Sequence, residues 1–333
     1  MVSARYDVLG IGNAIVDVIA RAEEDFLLKQ GMHKGTMALI DEARAETIYD
    51  AMGPAVEISG GSAANTIVGL ASLGGRGAFV GKVKNDGLGR AFSHDIRAAG
   101  VHFATPPASG GASTGRCYVL VTPDGERTMN TYLGAAQDLH PADIDEEAVA
   151  ASLVTYLEGY LWDPKNAKDA FLKAAKIAHD AGRTVALSLS DAFCVDRWRD
   201  EFLQLMRART VDLIFANEGE MHALYQTADF DTALAGLRAD IDTAVVTRSE
   251  KGCLVVGPDG TEAVSAFPVD RVVDTTGAGD LFAAGFLCGL ARGADDRTCG
   301  RLGALCAAEV IQHLGARPEC SLKELAGENG LTD

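Results

Sequence analysis

The sequence predicts an α/β fold with a mostly parallel sheet and a small β-sheet lid. Short apolar segments alternate with amphipathic segments along most of the chain, which is typical of parallel strands connected by helices on both faces of a sheet. One region, RCYVLV-TPDG-ERTMNTY, interrupts this alternation with two extended segments around a Pro-Asp-Gly turn. The chain has 333 residues, enough for one large domain. We therefore predict a single domain over 1–333, with a lid formed by segments near 14–40 and 113–135.

The individual elements follow from hydrophobic periodicity and from the residues that end helices. YDVLGIG predicts the opening strand, NTIVGLASLG a helix that ends at Gly74, and RGAFVGKV the next strand. GLGRAFSHDIRAAG predicts a helix that ends at Gly100, because glycine readily adopts the left-handed conformation after a helix. NAKDAFLKAAKIAHDAG predicts another helix, and RTVALSLS, VDLIFAN and TAVVTR predict strands. KGTMALI is expected to add a strand to the lid, and the late hairpin GCLVV-GPDG-TEAVSAF to lie at the edge of the main sheet.

Composition and charge restrict the classes of partner. The formal net charge of −17 argues against nucleic acid, whose partners usually present a basic surface, but a local pocket could still bind a small anion. The longest apolar runs, such as LFAAGFLCGL, are about half as long as a membrane span, and the N-terminus has no secretory leader. Seven scattered cysteines without CxxC spacing indicate reduced thiols, with no zinc site. These features predict a cytoplasmic protein without membrane or nucleic-acid partners.

The stretch VVDTTGAGDLFAAGFLCGL carries the strongest indication of chemistry. Gly277, Ala278 and Gly279 have small or absent side chains, so their backbone N–H groups can approach a ligand closely. If the following apolar run is helical, these groups lie at a helix N-terminus, which favours anions. Asp280 would then stand beside the anion, where a carboxylate can take a proton from a hydroxyl during phosphoryl transfer. Aspartate is also common in first turns because it offsets the helix dipole, but that role does not require two glycines.

A second group of candidates follows two strand ends near the N-terminus. Asn13 and Asp17 come after the first strand, at the edge where open α/β sheets bind ligands. Asp17 lies inside an apolar run and needs hydrogen-bond donors, which vicinal sugar hydroxyls would supply. Gly60 and Gly61 allow close approach of the backbone, and Asn65 is a polar residue in an otherwise small and apolar helix start. Turn and cap roles are the alternatives for these residues.

Charged and polar residues later in the chain complete the candidates. Arg127 in the second lid strand could bring a positive charge to a phosphate, although arginines in hairpins are more often solvated. Asn217 and Glu220 are three residues apart and share a helix face, which suits Mg²⁺ bound through water but also suits a capping box. The segment VVTRSEKGC ends a strand with three candidates for a nucleotide-side loop: Thr247, Arg248 and Gly252.

Two other nucleotide-binding motifs are absent or incomplete. The chain contains no GxxxxGK[ST] sequence, so a Walker-type NTPase is unsupported. GIGNAI begins like a dinucleotide-binding fingerprint, but Ile15 occupies the position of the third glycine. A nicotinamide-dependent dehydrogenase and a non-catalytic ligand-binding protein are therefore weaker alternatives than a kinase.

Together these motifs resemble the ribokinase-like (PfkB) family of carbohydrate and nucleoside kinases over nearly the whole chain. GGSAANTIVGLASLGGRGAFVGKVKNDGLGRAFSHDIRAAGV is similar to the N-terminal signature of the family, DTTGAGDLFAAGFLCGL to its C-terminal signature, and NEGE to its NxxE pattern. The resemblance implies a ribokinase-like three-layer α/β/α sandwich with a small β-sheet lid. It also implies a phosphotransferase that uses ATP and Mg²⁺, and it leaves open whether K⁺ or another monovalent cation is bound.

The resemblance also implies roles for individual residues. Asp280 would be the catalytic base, Arg127 the lid arginine, and the anion hole would be Gly277, Ala278 and Gly279. Sugar hydroxyls would be bound by Asn13, Asp17, Gly60, Gly61 and Asn65. The ATP side would contain Asn217, Thr247, Arg248, Gly252, Thr276, Gly277 and Gly279. Glu220 and Asn217 would organise Mg²⁺, through water.

Several segments, among them GNAIVD, YLEGYLWDP and ANEGE, are most similar to the adenosine kinase branch of the family. That branch holds a purine between apolar and aromatic residues, for which the candidates here are Met37, Met129, Leu161 and Phe193. The implied reaction is phosphorylation of the 5′-hydroxyl of adenosine. Sugar kinases for ribose, fructose or 2-keto-3-deoxygluconate share the catalytic motifs and remain the alternative. Both a monomer and a homodimer are compatible with the resemblance.

Overall fold

A nine-stranded sheet forms the centre of the protein in the structure, a computed structural model that describes residues 4–331. From one edge to the other its strands are β14 (Gly260–Val264), β13 (Cys253–Gly257), β12 (Thr243–Thr247), β11 (Leu213–Asn217), β10 (Thr184–Ser188), β9 (Ser152–Glu158), β1 (Tyr6–Ile11), β5 (Gly77–Val80) and β6 (His102–Phe103). Neighbouring strands are parallel from β12 to β6, whereas β13 and β14 pair antiparallel at one edge. The late hairpin therefore lies at the sheet edge, as predicted.

Helices cover both faces of this sheet. One face is covered by α3 (Ser62–Ser72), α4 (Gly87–Ala98), α10 (Ala278–Ala291), α11 (Asp296–Val310) and α12 (Leu322–Glu328). The other is covered by α5 (Glu146–Ala150), α6 (Lys165–Asp180), α7 (Ala192–Arg207), α8 (Glu218–Tyr225) and α9 (Phe230–Asp240). Because side chains alternate along a strand, Val8 and Leu9 enter different hydrophobic clusters. The predicted three-layer α/β/α arrangement is confirmed.

A second, five-stranded sheet lies beside the first. Its strands, in order, are β3 (Met37–Leu39), β8 (Arg127–Gly134), β7 (Thr114–Val121), β2 (Ile15–Arg21) and β4 (Ala55–Gly60). Two short helices, α1 (Glu24–Lys29) and α2 (Glu42–Ala51), connect β2, β3 and β4. The turn between β7 and β8 contains Gly125 with a φ of 86°, as expected for the TPDGE segment. The strand β4 is an addition to the two segments that the sequence predicted for this lid sheet.

The two sheets meet where β4 runs into α3. Gly61 separates the lid strand from the helix, and α3 packs directly against α10. Gly69 allows this close approach, because a Cβ there would lie 2.6 Å from Leu281 Cδ1 and 2.9 Å from Ala284 Cβ. The N-termini of α3 and α10 therefore lie side by side below the lid sheet. Between residues 4 and 331 there is no helix of the length and apolarity that crossing a membrane requires.

Candidate active site

Asp280 lies in the first turn of α10 and is held by the first turn of α3. Ser62 Oγ donates a hydrogen bond to Asp280 Oδ1 over 2.6 Å, and Asn65 Nδ2 donates to Oδ2 over 3.0 Å. The two donors are three residues apart on a helix, so they share one face. The carboxylate is half-buried and both of its oxygens have a fixed direction. It is therefore oriented rather than free to rotate as a solvent-exposed aspartate would be.

Two carboxylates share this region and affect each other's protonation. Burial raises the pKa of Asp280, against the lowering effect of hydrogen bonds from Ser62 and Asn65 and of the Arg317 charge. Burial also raises the pKa of Asp17 to about 6; Arg317 opposes this shift and the charge of Asp280 adds to it. Raised carboxyl pKa values bring a group closer to the pKa that suits a general base near neutral pH.

The N-terminus of α10 has the features of an anion site. Gly277 is the N-cap with a φ of 78° and contributes no side-chain acceptor, so the first N–H groups of the helix are not capped by a side chain. A Cβ at residue 277 would lie 2.6 Å from Ala316 Cβ, whereas one at Gly279 would meet nothing within 4 Å. Glycine at 277 thus permits the tight turn, and the backbone at 279 is open to a ligand. Ala278 N donates to the carbonyl oxygen of Thr275, whereas the N–H groups of Gly279 and Asp280 remain available, and with the helix dipole they favour an anion here.

Arg127 begins β8 and lies near the loop that precedes α10. Its Nη1 forms an ion pair with Asp274 Oδ2 over 2.7 Å, and both side chains are less than 10% exposed. Asp274 Oδ1 also accepts hydrogen bonds from Thr276 N and Oγ, over 3.0 and 2.8 Å, and its Oδ2 accepts one from Gly315 N. Within the described part of the chain, Nε and Nη2 of Arg127 are buried without a hydrogen-bond partner. Two unsatisfied cationic donors fit an anionic ligand.

A cleft lies between the lid sheet and the N-termini of α3 and α10. Three acceptor groups lie on its lid side. Asn13 Nδ2 donates to Glu158 Oε1 over 2.6 Å, which leaves Asn13 Oδ1 buried without a partner among residues 4–331. Asn65 Oδ1 is in the same state, because its Nδ2 is bound to Asp280. With the Asp17 carboxylate, these atoms form a set that accepts hydrogen bonds, which suits a ligand with several hydroxyl groups.

Two glycines allow these acceptors to come together. A Cβ at Gly60 would lie 2.5 Å from the carboxylate of Asp17. Gly61 has a φ of 98°, and a Cβ there would lie 2.1 Å from the carbonyl oxygen of Asn13. No other residue fits at Gly61 without moving the backbone, because both the conformation and the space require glycine.

An apolar row lies next to Asp17 on the lid sheet. Ile19 shares the face of Asp17 because the two are two residues apart in a strand. Ile19 pairs with Val119, Val119 with Met129, and Met129 with Met37 across four neighbouring strands. Met37 is 43% exposed, so the row has no cover at its outer end. The two predicted pocket residues Met37 and Met129 therefore belong to one surface beside the acceptor groups.

The other two residues predicted for this pocket lie differently. Leu161 is 1% exposed and packs with Trp162 in the hydrophobic cluster on the opposite face of the main sheet, so its side chain is not accessible to a ligand. Phe193, at the start of α7, is 62% exposed, and the guanidinium of Arg197 lies over its ring, 4.6 Å from the ring centroid. The structure therefore does not bring Leu161 and Phe193 together with the apolar row.

The residues predicted for the nucleotide side lie at the carboxyl ends of two adjacent strands. Asn217 ends β11 and pairs with Thr247, which ends β12. Arg248 follows Thr247, forms a 3.5 Å ion pair with Glu218, and has a buried Nε without a partner in the described residues. Gly252 has a φ of 82° and lies against β14, where a Cβ would be 2.0 Å from a carbonyl oxygen. The loop between β12 and β13 is thus a tight corner beside the start of α8.

Asn217 and Glu220 form a complete capping box. Asn217 Oδ1 accepts from Glu220 N over 2.9 Å, and the Glu220 carboxylate accepts from Asn217 N over 3.0 Å and from Asn217 Nδ2 over 2.5 Å. Burial raises the pKa of Glu220 to about 7, because the hydrogen bond from Asn217 offsets only part of the desolvation. The capping box that the sequence offered as the alternative for this pair is therefore present. The Glu220 carboxylate already accepts hydrogen bonds from Asn217 at the N-terminus of its own helix.

The donor set near these residues limits how Mg²⁺ could be held. In the chain from residue 4 to residue 331, no three His, Cys, Asp or Glu side chains are grouped to hold a metal ion. Mg²⁺ usually keeps several waters and binds phosphate oxygens together with one or two carboxylates. The residues present would therefore fit a hydrated Mg²⁺ bound together with phosphate oxygens, with Glu220 and Asn217 acting through water.

Five residues around the site were not singled out from the sequence. Ser62, Asp274 and Arg317 contact other site residues directly, and Glu158 orients Asn13. Burial raises the pKa of Tyr160, and the charges of Asp191, Asp280 and Glu220 add to this shift. Ser62 and Asp274 stand inside the two motifs that carried the prediction, so a closer look at those motifs could have found them. Glu158 and Tyr160 lie within the YLEGYLWDP segment, which was recognised only for its resemblance to the adenosine kinase branch, and Arg317 has no local signal.

Comparisons with known proteins agree with this architecture. The model of the pfkB family carbohydrate kinase matches residues 40–323. The adenosine kinase of Sinorhizobium meliloti is 56% identical, with a TM-score of 0.92 over 98% of this chain and 100% of that chain. A probable sugar kinase protein from Rhizobium etli CFN 42 is 52% identical, with a TM-score of 0.93 over 98% and 99% of the two chains. The adenosine kinase of Saccharomyces cerevisiae is 29% identical over 327 residues, which are 92% of this chain and 94% of that protein. This chain belongs to the pfkB family of carbohydrate kinases.

Proposed function

We propose that the chain is an adenosine kinase that transfers the terminal phosphoryl group of ATP to the 5′-hydroxyl of adenosine in the presence of Mg²⁺. The observation that carries this proposal is the position of Asp280. Its carboxylate is held in a fixed direction by Ser62 and Asn65, in the first turn of a helix whose N-terminus has no side-chain cap. A base and an anion site are therefore adjacent, which is the requirement for phosphoryl transfer to an alcohol.

Asp280 would act on the hydroxyl of the acceptor. Each oxygen of the carboxylate accepts one hydrogen bond from α3 and keeps further acceptor capacity for the hydroxyl proton. The proton moves to the carboxylate as the hydroxyl oxygen forms its bond to phosphorus and ADP leaves. Burial raises the pKa of Asp280, which makes the carboxylate a stronger base than an exposed aspartate.

Two positive features of the chain would stabilise the phosphoryl group in transit. The N–H groups of Gly279 and Asp280 in the first turn of α10 would present partial positive charge at fixed positions. Arg127 has two buried N–H groups without partners among the described residues, and it is fixed by its ion pair with Asp274. ATP supplies the phosphoryl group, and Mg²⁺ offsets the charge on its phosphates. The ATP side would be formed by the corner residues Asn217, Thr247, Arg248 and Gly252, together with Thr276 in the loop before α10.

Adenosine fits the acceptor side of the cleft for two reasons. The oxygens of Asn13, Asp17 and Asn65 accept hydrogen bonds and suit the vicinal hydroxyls of a ribose. The adjoining row with Met129 and Met37 is apolar and partly exposed, which suits the face of a purine. The similarity to the adenosine kinase of Sinorhizobium meliloti supports this choice.

A sugar kinase for ribose, fructose or 2-keto-3-deoxygluconate is the second candidate. The similarity to the probable sugar kinase of Rhizobium etli favours it, and the acceptor oxygens would serve a free sugar equally well. A free sugar, however, has no apolar face to contact the row, in which Ile19 and Met129 are only partly buried and Met37 is exposed. We expect adenosine to be preferred because contact with this row adds to the binding free energy.

The test is a coupled assay of ADP formation with adenosine, ribose, fructose and 2-keto-3-deoxygluconate, in the wild-type chain and in Asp280→Asn. We expect adenosine to be the best acceptor, and Asp280→Asn to lower kcat by roughly 10²–10⁴-fold with little change in adenosine affinity. Asp296→Asn is the matched control, because Asp296 also lies in the first turn of a helix but is exposed and belongs to α11. Near-normal turnover in Asp280→Asn would contradict the mechanism, and turnover with a sugar but not with adenosine would favour the second candidate.

A further inference from the structure

The segment that follows α11 contacts several parts of the site. Gly315 N donates a hydrogen bond to Asp274 Oδ2 over 3.0 Å. Ala316 packs against the turn at Gly277, where an added Cβ would lie 2.6 Å from the Cβ of Ala316. Arg317 extends from the same segment toward the hinge between the lid sheet and α3. Residues 315–317 therefore connect three places: the loop before α10, the anion site, and the Gly60-Gly61 corner between the lid sheet and α3, which we call the lid hinge.

The guanidinium of Arg317 spans the Gly60-Gly61 corner. Its Nε and Nη2 donate to the carbonyl oxygen of Ser59 over 3.1 and 2.6 Å, and Nη2 also donates to Ser59 Oγ over 2.9 Å. Its Nη1 donates to the carbonyl oxygen of Ala64 over 3.3 Å. Ser59 precedes the corner and Ala64 follows it, so one side chain fixes the distance between β4 and α3. The planar fork of arginine is needed for such a pattern, which a lysine cannot reproduce.

The charge of the same guanidinium acts on the carboxylates of three elements: Asp17 in β2, Asp95 in α4 and Asp280 in α10. Burial lowers the pKa of Arg317 to about 10, and the three carboxylates oppose this change, so the side chain remains charged at neutral pH. Its charge lowers the pKa of both Asp17 and Asp280 against the larger effect of burial. The other titratable groups that face these two carboxylates are Cys117, Arg127, Tyr156, Glu158 and Tyr160.

We propose that Arg317 is a positioning residue for phosphoryl transfer, which clamps the lid hinge onto the first turn of α3 and holds Asp17 and Asp280 as a pair of ionised carboxylates. Ser62 and Asn65, the donors to Asp280, belong to the turn that Arg317 binds through Ala64. The hinge geometry and the charge of the base are thus set by one side chain. The identity of the acceptor in this role rests on the proposed function. The coupling of Arg317 to Asp17 and Asp280 is independent of the acceptor.

The first test is the pH dependence of kcat/KM for adenosine in Arg317→Met and Arg317→Lys. Removing the charge should lower kcat/KM at pH 7 by at least tenfold and move the acidic limb of the profile upward by about one pH unit. Arg317→Lys keeps the charge, so it should move the limb less than Arg317→Met while still losing activity. The matched control is Arg292→Met, since Arg292 Nη2 also donates to a backbone carbonyl, that of Leu73, at the far end of α3. It should leave the limb in place.

The second test requires no substrate. The loss of melting temperature caused by Arg317→Met should be larger at pH 8 than at pH 5.5, because the attraction that it removes exists only while the carboxylates are ionised. It should also be smaller in an Asp280→Asn background, as a double-mutant cycle would measure. Arg292→Met should show neither dependence.

The outcomes separate this role from the proposed function. A wild-type chain that does not phosphorylate adenosine, but shows the coupling of Arg317 to Asp280 in melting temperature, would overturn the proposed substrate and support the positioning role. Conversely, if Arg317→Met behaves like Arg292→Met in both the pH profile and the melting-temperature cycle, the role assigned to Arg317 is wrong even when adenosine is phosphorylated.

Discussion

At the scale of single residues, the orientation of one amide decides what the acceptor side of the cleft offers a substrate. Glu158 is 1% exposed and accepts hydrogen bonds from Ala63 N and from Asn13 N and Nδ2. An ionised carboxylate can only accept, so Asn13 must turn its Nδ2 toward Glu158 and its Oδ1 toward the cleft. Burial raises the pKa of Glu158 to about 7, against the lowering effect of these three donors.

Replacing Glu158 with glutamine should therefore reverse the Asn13 amide. The introduced side-chain amide would present an N–H donor to Asn13, so Oδ1 would turn inward to accept it and Nδ2 would face the substrate. We expect Glu158→Gln to fold, to raise the KM of the acceptor about tenfold through the lost hydrogen bond, and to change kcat less. Steady-state kinetics across acceptor concentrations measures this separation.

The matched rescue is the double variant Asn13→Asp with Glu158→Gln. An aspartate at residue 13 accepts from the glutamine amide at residue 158 with one oxygen and presents the other to the cleft, so the acceptor group is restored. The number of negative charges is the same as in the wild-type chain. A KM for the double variant no better than that of Glu158→Gln alone would show that amide orientation is not what Glu158 controls.

Residue-scale features of this kind could be predicted only in part. Asn13 was accessible from the sequence, because it follows a strand end where ligands are usually bound. The contact of Glu158 with Asn13 was not, since the two are separated by 145 residues and nothing local in the YLEGYLWDP segment points to Asn13. Arg317 was not accessible for the same reason, because its partner Ser59 lies 258 residues away.

At the scale of elements, the lid sheet and α3 are connected by a single glycine. The backbone at Gly61 has a φ of 98°, which strains any residue with a side chain, and an added Cβ would lie 2.1 Å from the carbonyl oxygen of Asn13. Gly61→Ala therefore combines conformational strain with a steric clash. Relief requires the backbone at Gly61 to move away from Asn13, in the loop between β1 and β2, which would displace Ser62 and Asn65 at the start of α3 from Asp280.

We expect Gly61→Ala to lower the free energy of unfolding by roughly 2–4 kcal/mol and to reduce kcat/KM by more than tenfold. Gly182→Ala is the matched control, because Gly182 has a φ of 66° but nothing within 4 Å of an added Cβ. That variant should lose only about 1 kcal/mol through backbone strain, with no change in kcat/KM. Denaturant titration and kinetics measure the two quantities, and equal stability losses in both variants would exclude the clash as the cause.

The elements themselves were largely predictable where local signals define them. The helices α3 and α4 end close to Gly74 and Gly100, whose φ values of 80° and 85° are those that a helix stop requires. The hairpin of β7 and β8 forms around the predicted turn. The strand β4 was not assigned to the lid, because its strand partner, β2, lies about 40 residues earlier and the intervening segment contains two helices and a strand. Non-local pairing has no signature in a local pattern.

At the scale of the whole molecule, the buried carboxylates of the site should make stability depend on pH. Burial raises the pKa of Asp17 to about 6 and those of Glu158 and Glu220 to about 7. Raised values mean that the folded chain binds more protons than the unfolded chain between about pH 4 and pH 7. The free energy of unfolding should therefore increase as the pH falls through this range, and the destabilising effect of the charged carboxylates is complete above pH 7.

Other carboxylates oppose this trend only at lower pH. The pKa of Asp229 lies below its ordinary value because of hydrogen bonds from Thr232, and the pKa of Asp295 because of those from Thr298. Their stabilising contribution is lost only as the pH falls below about 4. The net charge of −17 adds to the trend above that point, since protonation reduces repulsion within the folded chain.

We therefore expect the melting temperature to be roughly 2–5 °C higher at pH 6 than at pH 8. Differential scanning calorimetry in buffers of equal ionic strength measures this difference, and a repeat in about 0.5 M salt separates its two causes. Salt screens the general repulsion between surface charges but has little effect on carboxylates that are out of contact with water. A difference that persists in high salt assigns the effect to Glu158 and Glu220, which are 1% and 3% exposed, whereas one that vanishes, or a lower melting temperature at pH 6, contradicts it. A melting-temperature difference that persists in high salt also bears on activity. The carboxylates that lower stability above pH 7 are the same ones that orient the acceptor side and the nucleotide side of the cleft.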